Sequence, residues 1–302
     1  MNVAPALVGY TAAVGFAAPR IMLRSRWPYR APALATAVWQ SLAVSFSIAV
    51  ALTVCNLAMP IKPLVGILDG WKVGTGVGRL APDIGSHLGA NVSAAIGVTL
   101  IASFAFHLTR ARRARTRHQE AVDLVGRHSA QLGAIVLSHD APAAYCLPGR
   151  RPRIVITDAT VRQLTPEQLG AVLQHEQGHI RGRHHLPLAA MQAFRSIFRW
   201  VPLARHAQEQ TALLLEMIAD DRALSSHSHE VLATAMYEMA AARTPKGALA
   251  AGGNSAVIRI QRVLDPREAP HPVLRGSVAV MAVTIPLLPL TSLLIACSPA
   301  LG

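Results

Sequence analysis

Leu173-Gln174-His175-Glu176-Gln177-Gly178-His179 is the stretch from which the rest of the chain is read. On a helix, residues four apart share a face, so His175 and His179 can offer two imidazole nitrogens to one tetrahedral zinc ion. Glu176 stands one step round and can reach the attacking water rather than the metal, taking its proton as a carbonyl is attacked. The plainer alternative is a buried helix with paired histidines. A helix start lies just upstream: Thr165 can cap, Pro166 suits the first turn, and Gln168 stands at the reciprocal position of a capping box. Ala171, Val172 and Leu173 then supply an apolar run to bury.

Two histidines leave a catalytic zinc one protein ligand short. The next helical segment, Gln208 to Leu224, carries Glu216-Met217-Ile218-Ala219-Asp220, whose two carboxylates are four residues apart on one face. Glu216 can complete a His₂Glu set and leave the fourth position to water. Asp220 can accept the free ring N–H of a ligand histidine and fix its tautomer, with Asp221 as the alternative. The competing reading, two solvated helix charges, is weakened by Leu213, Leu214, Leu215, Met217 and Ile218 around Glu216.

His-Glu-x-x-His followed by Glu-x-x-Ala-Asp resembles the gluzincin membrane peptidases, both the HtpX-like group and the BlaR/MecR transmembrane metallopeptidases. The run His175 to His185, with the Ile154 to Thr157 strand, looks more like the BlaR/MecR group, and the resemblance covers about Gln119 to Pro266. It implies an α+β gluzincin domain, mostly helical with a small sheet, and one Zn²⁺ per chain. His175, His179 and Glu216 would be its ligands and Glu176 the general base. It also implies a protein substrate, cytosolic or membrane-proximal, such as a BlaI-like transcriptional repressor in antibiotic-response signalling. HtpX-like quality control of membrane proteins is the alternative among enzymes; a non-proteolytic membrane sensor with structural zinc is the alternative outside them. The large extracytoplasmic penicillin-binding domain of the antibiotic sensors, with its Ser-x-x-Lys signature, is not expected here.

By the same resemblance, Ala143-Ala144-Tyr145-Cys146 looks like the edge strand on which gluzincins hold an extended substrate, where small Ala144 lets a peptide approach. An inner strand of a small sheet is the other reading. Arg259 or Arg262 would stabilise the oxyanion, with Tyr237 as another donor; each also reads as a surface or packing residue. Arg181, Arg183, His184 and His185 read as a basic helix end, with His184 or His185 touching substrate or oxyanion as the alternative.

Composition points to a membrane. The 302 residues are 52% hydrophobic and 15% charged, with a mean hydropathy of +0.34, whereas soluble domains carry about a quarter charged residues. The formal charge of +13 is concentrated in Arg20, Arg24, Arg26 and Arg30 and in Arg110, Arg112, Arg113, Arg115 and Arg117. Each cluster flanks an apolar segment, the distribution of cytoplasmic loops rather than of a nucleic-acid surface. The expected organisation is therefore a multi-span α-helical membrane protein. Residues 1–118 hold three spans (about 3–19, 31–59 and 88–108), and 119–270 form a cytoplasmic zinc metallopeptidase domain. Residues 271–302 give a fourth span, kinked by Pro286 and Pro289, and a short outer tail. The bilayer would be that of a bacterial cell membrane, with the N-terminus outside and no direct nucleic-acid partner.

Between the spans, Pro60 to His87 reads as an outer loop with an interfacial turn at Trp71. Gln119 to Gln131 is helical, Ala134–Leu137, Ala143–Leu147 and Arg153–Thr157 are strands, and Thr244 to Asn254 is a flexible loop before the amphipathic helix Val257–Leu264. Pro187 to Val201 is a core helix or one leaning on the membrane surface. Cys55, Cys146 and Cys297 make no disulfide framework; a bridge between Cys55 and Cys297 is conceivable, buried free thiols the alternative.

Overall fold

The computed structural model describes residues 4–58, 81–149, 151–243, 249–265 and 271–291. The expected outer loop as far as residue 80, with Trp71, lies outside the described residues, as do 244–248, Cys297 and the end of the fourth span. The side chain of Cys55 is also outside them, and Cys146 is a free thiol.

Helices α1 (Ala4–Ala12) and α2 (Ala18–Arg24) are joined by a π-helical stretch, Ala13–Ala17, and followed by α3 (Pro32–Ala58). Helix α4, Ala81–Val125, is 45 residues long and merges two expected elements, the span at 88–108 and the start of Gln119–Gln131. Arginine and alanine are good helix formers, and no Gly or Pro stands between Gly97 and Gly126. The expected helix then gives way to a strand, β1 (Arg127–Ser129), where the chain turns back beside β2 (Ala134–Leu137).

With β3 (Ala144–Leu147) and β4 (Arg153–Thr157) these make one four-stranded sheet in the order β1-β2-β4-β3, parallel only between β2 and β4. β3 is thus an edge strand. Ile135, Leu147 and Val155 bury one face against Val122 of α4, and Ile156 buries the other with Leu164 and Leu169. Thr157 closes β4 and caps the short α5 (Asp158–Gln163), its hydroxyl accepting from the Thr160 N–H.

Helices α6 (Pro166–Arg181), α7 (His185–Ile197), α8 (Pro202–Ala223), α9 (His229–Arg243) and α10 (Leu249–Leu264) complete the middle of the chain. Leu249–Asn254, expected as loop, are the first turns of α10. α7 is a core helix: Met191 and Phe194 are buried with Trp39, Phe46, Leu203, Leu214 and Met217. Phe46 meets Phe194 edge to face at 6.0 Å. The helix that carries Glu216 is therefore packed directly on apolar α3.

The last described helix, α11 (Pro272–Thr284), tightens into a 3₁₀ stretch at Ile285–Leu290 around Pro286 and Pro289. Each proline frees the carbonyl four residues before it. Ser41 Oγ donates to Ala282 O at 2.5 Å and Ser45 Oγ to Ile285 O at 2.9 Å, so α3 satisfies both. Among the described residues, Pro5–Arg24, Pro32–Val54 and Pro272–Leu290 are long and apolar enough to cross a membrane. The remaining expected span, 88–108, lies inside α4 and is not among these three.

Candidate metal centre

Helix α6 begins as its sequence requires. Thr165 N–H donates to Gln168 Oε1 at 2.9 Å and Gln168 N–H to Thr165 Oγ1 at 3.3 Å, the reciprocal capping box. Two turns on, His175 and His179 share a face with their Nε2 atoms 3.1 Å apart. Gly178 sets the distance to α8: a Cβ there would lie 3.3 Å from both Ala219 Cα and Arg222 Cβ, tighter than side chains ordinarily pack. That close approach brings Glu216 to the pair, its carboxylate oxygens 3.6 Å from His175 Nε2 and 3.3 Å from His179 Nε2.

The two nitrogens are 3.1 Å apart and each lies 3.3 to 3.6 Å from the nearer carboxylate oxygen, Oε2 for His175 and Oε1 for His179, near the separation of about 3.3 Å expected between ligands around a tetrahedral zinc at ~2.0–2.1 Å. Two imidazole nitrogens this close share either a proton or a metal ion, and the carboxylate beside them favours a cation of either kind. His175, His179 and Glu216 thus form a group able to hold a metal ion.

The atoms behind the three donors are also fixed. Asp220, fully buried, accepts from His175 Nδ1 at 3.0 Å, which leaves Nε2 as the lone-pair nitrogen. Asp221 instead pairs with Arg262 at 2.7 Å, and Arg262 Nε donates to the Tyr29 carbonyl in the turn between α2 and α3. Of the two arginines considered for the oxyanion, Arg262 therefore faces away from the site. Arg259 lines the cleft but is already engaged: Nε and Nη2 donate to the two Asp220 oxygens at 2.8 and 2.7 Å, and Nη1 to Glu216 Oε2 at 2.7 Å. It clamps the two carboxylates to each other. Tyr237 is 62% exposed and outside the cleft, because the phase of α9 turns its neighbours Met236 and Met239 inward.

His184 is the residue that sequence reasoning undervalued. Arg183 adopts φ 49°, in the left-handed region, and swings His184 back over the helix it has just left. His184 is buried, and its Nδ1 lies 2.8 Å from His179 Nδ1. With His179 presenting the Nε2 lone pair to a metal, its proton is on Nδ1 and is donated to His184. Gly182 makes room: a Cβ there would stand 2.3 Å from His184 Nε2. The signal was present in the His184-His185 pair, but its meaning depended on a backbone turn that spacing does not disclose.

The protonation pattern follows from these contacts. Burial disfavours a charge on His175, but hydrogen bonds to Asp220 and Glu216 outweigh it and raise the residue to about 9. Burial, reinforced by His175 and His184 nearby, lowers His179 to about 4 although Glu216 pulls the other way. Burial opposes charge on both carboxylates too. Even so, Glu216 is held at about 2, chiefly by His175 and Arg259, and Asp220 at about 2, chiefly by Arg259.

Glu176 lines the same cleft of about 560 Å³, as do Ala144 and Cys146 of β3. The Cys146 thiol is driven up to about 12 by burial and by the Glu176 carboxylate, with which it hydrogen-bonds. β3 lies alongside α6, and Thr157 N–H donates to Ala143 O at 2.9 Å. Residues alternate along an antiparallel pair, so Ala143, Tyr145 and Leu147 turn their main-chain groups to β4, and Ala144 and Cys146 turn theirs to the open side.

A helix offering two histidines and a glutamate, a second helix offering a carboxylate, and an edge strand beside them define the architecture of a metallopeptidase centre. Residues 108–247 match the model of Peptidase family M48, so over this stretch the chain is similar to that family, consistent with a zinc metallopeptidase. The curated proteins and the solved structures yielded no match. M48 peptidases are zinc enzymes, and the histidine pair with Glu216 has the chemistry such an ion needs.

Proposed function

We propose that the chain is an integral-membrane zinc endopeptidase that cleaves extended protein segments close to the bilayer. The observation that carries this is the convergence of His175, His179 and Glu216 beside Glu176 and an edge strand. Zinc bound by these residues supplies Lewis acidity, polarising a carbonyl and acidifying water. An extended substrate adds to β3 through the main chain of Ala144 and Cys146, which places its scissile bond over the histidine pair. Glu176 takes the proton of the attacking water and passes it to the leaving amine. Asp220 and His184 hold the two imidazoles in the tautomers this requires, and Arg259 keeps Glu216 from swinging out.

The membrane part of the proposal rests on the three apolar helices and on Ile101 and Phe106 of α4, which are 71% and 58% exposed, as lipid-facing side chains are. The cytoplasmic assignment rests on arginines. Arg26 and Arg30 flank the turn between α2 and α3, and Arg262 of α10 is tied to that turn. With the catalytic side cytoplasmic, the N-terminus is outside. Cleavage of a transcriptional repressor is the preferred role within this reading, supported by the likeness of His175–His185 to the BlaR/MecR group; quality control of membrane proteins is the second.

The test is cleavage of a fluorescently labelled unfolded protein by the purified, zinc-loaded chain, compared with Glu176→Gln. Loss of cleavage with zinc retained is expected; equal cleavage by both would overturn the role of Glu176. Proteins that co-purify with Glu176→Gln from its own membrane separate the two substrate classes: one DNA-binding protein for the repressor, a broad set for quality control.

A further inference from the structure

The arginine cluster of α4 is not uniform. Arg110, Arg112, Arg113 and Arg117 are exposed, as cytoplasmic flanking charges should be, whereas Arg115 is half-buried and lines the cleft that holds the metal centre. Its Nε donates to Ala111 O at 3.0 Å, which holds the side chain along the helix and leaves the outer guanidinium nitrogens free to turn toward the cleft. None of the ion pairs among the described residues includes it. α4 packs on α7, so His185, whose Nδ1 is buried without a partner, lines the same end of the cleft.

This end is defined relative to the edge strand. One turn beyond Arg115, His118 Nε2 meets the Tyr145 hydroxyl at 2.9 Å and Gln119 Nε2 donates to Leu147 O at 3.2 Å. α4 therefore braces β3 at its Leu147 end, and Pro148, also in the cleft wall, has no N–H to pair with a further residue. Leu232, Met236 and Met239 add an apolar part to the cleft wall. A peptide laid along β3 would cover Arg115 and strip its remaining water. A cation so covered is costly unless an anion arrives with the peptide.

We propose that Arg115 and His185 form a subsite for a carboxylate side chain of the substrate, so that the peptidase selects segments with Asp or Glu at one fixed position from the scissile bond, the position lying at the Leu147 end of β3. This deepens the peptidase reading and rests on it. Arg115 supplies the charge, and His185 lines the cleft near it, its buried Nδ1 turned away from the opening. Burial, and secondarily Arg112, lowers the Arg115 pKa, in keeping with a site short of negative charge. The same cleft could take a carboxylate from a chain terminus, which the experiment separates.

The experiment uses the zinc-loaded full chain and quenched peptides in which Glu, Gln or Lys is scanned through four positions on each side of the scissile bond, with free or amidated C-termini. At one position Glu should exceed Gln in kcat/KM by about tenfold, as expected for a charged hydrogen bond, in free and amidated peptides alike. The advantage should shrink as salt is raised. Arg115→Glu should shift the preference at that position to Lys, a change of ratio that a general loss of activity would not produce. Equal Glu, Gln and Lys ratios in wild type and Arg115→Glu would overturn the subsite, and a preference confined to free C-termini would overturn the side-chain assignment. If no peptide is cleaved, the peptidase reading fails, and the subsite is judged by fluorescence anisotropy with Glu176→Gln. Tighter binding of Glu than Gln peptides, lost when Arg115→Glu is added, supports it; equal binding overturns it.

Discussion

His175 and His179 cannot be described apart from what stands behind them. Asp220 and His184 each hold the far nitrogen of one imidazole, and both are buried. Removing such a support typically weakens metal binding by ~10–100-fold, so His184→Ala should raise the zinc dissociation constant by about that factor, read by competition with a chromophoric chelator. Asp220→Ala goes further, because it leaves Arg259 buried without its main partner. Loss of one member of a buried pair costs about 3–5 kcal/mol, which thermal or denaturant unfolding of the metal-free protein should register. pH acts through His175. Below about 9 the metal-free site keeps a proton on this residue, and a metal must displace it, so lower pH weakens binding. Zinc affinity should rise about tenfold per pH unit between about pH 5 and 9 and then level off, with about one proton released per zinc in the middle of that range. An affinity flat from pH 6 to 8 would contradict this.

Among the elements, α6 and α8 were readable in advance because their signals are local. The capping box at Thr165, the four-residue spacings and the apolar residues around Glu216 all lie within one helix each. β2 and β4 were legible as runs bounded by turn residues. What local patterns did not disclose depends on tertiary placement. β1 is three residues long and exists because β2 is there to pair with it, and α4 runs on through an arginine-rich stretch that resembled a boundary. The pairing of Arg259 with Asp220 joins residues 39 apart in sequence, and the exposure of Tyr237 is a matter of helix phase. Gly178 and Gly182 belong at this scale as well. Gly178→Leu should separate α6 from α8 and abolish stoichiometric zinc binding, because the neighbours it would meet include the Ala219 backbone. Gly182→Ala should displace His184 and reproduce the affinity loss of His184→Ala, measured by the same competition.

Over the whole molecule, the apolar helices and the metal centre share one core. Trp39 and Phe46 of α3 are buried with Leu214 and Met217, which flank Glu216 on α8. Arg262 ties α10 to the turn before α3, and Arg259, one helical turn away on α10, holds Glu216. A shift of α3 or of that turn therefore has a short mechanical route to the Glu216 carboxylate. Arg262→Ala should leave the ligands in place but loosen this route, visible as faster hydrogen exchange along α10 with zinc stoichiometry unchanged.

One zinc ion held by His175, His179 and Glu216 is the feature on which the peptidase reading stands. Zinc K-edge absorption together with metal analysis of the purified full chain tests it most directly. About one zinc per chain is expected, with two imidazole nitrogens and a carboxylate oxygen as protein ligands, unchanged in Glu176→Gln and lost in Glu216→Ala. Zinc retained at full occupancy by Glu216→Ala with the same two-histidine spectrum, or no zinc in the loaded wild type, would contradict it.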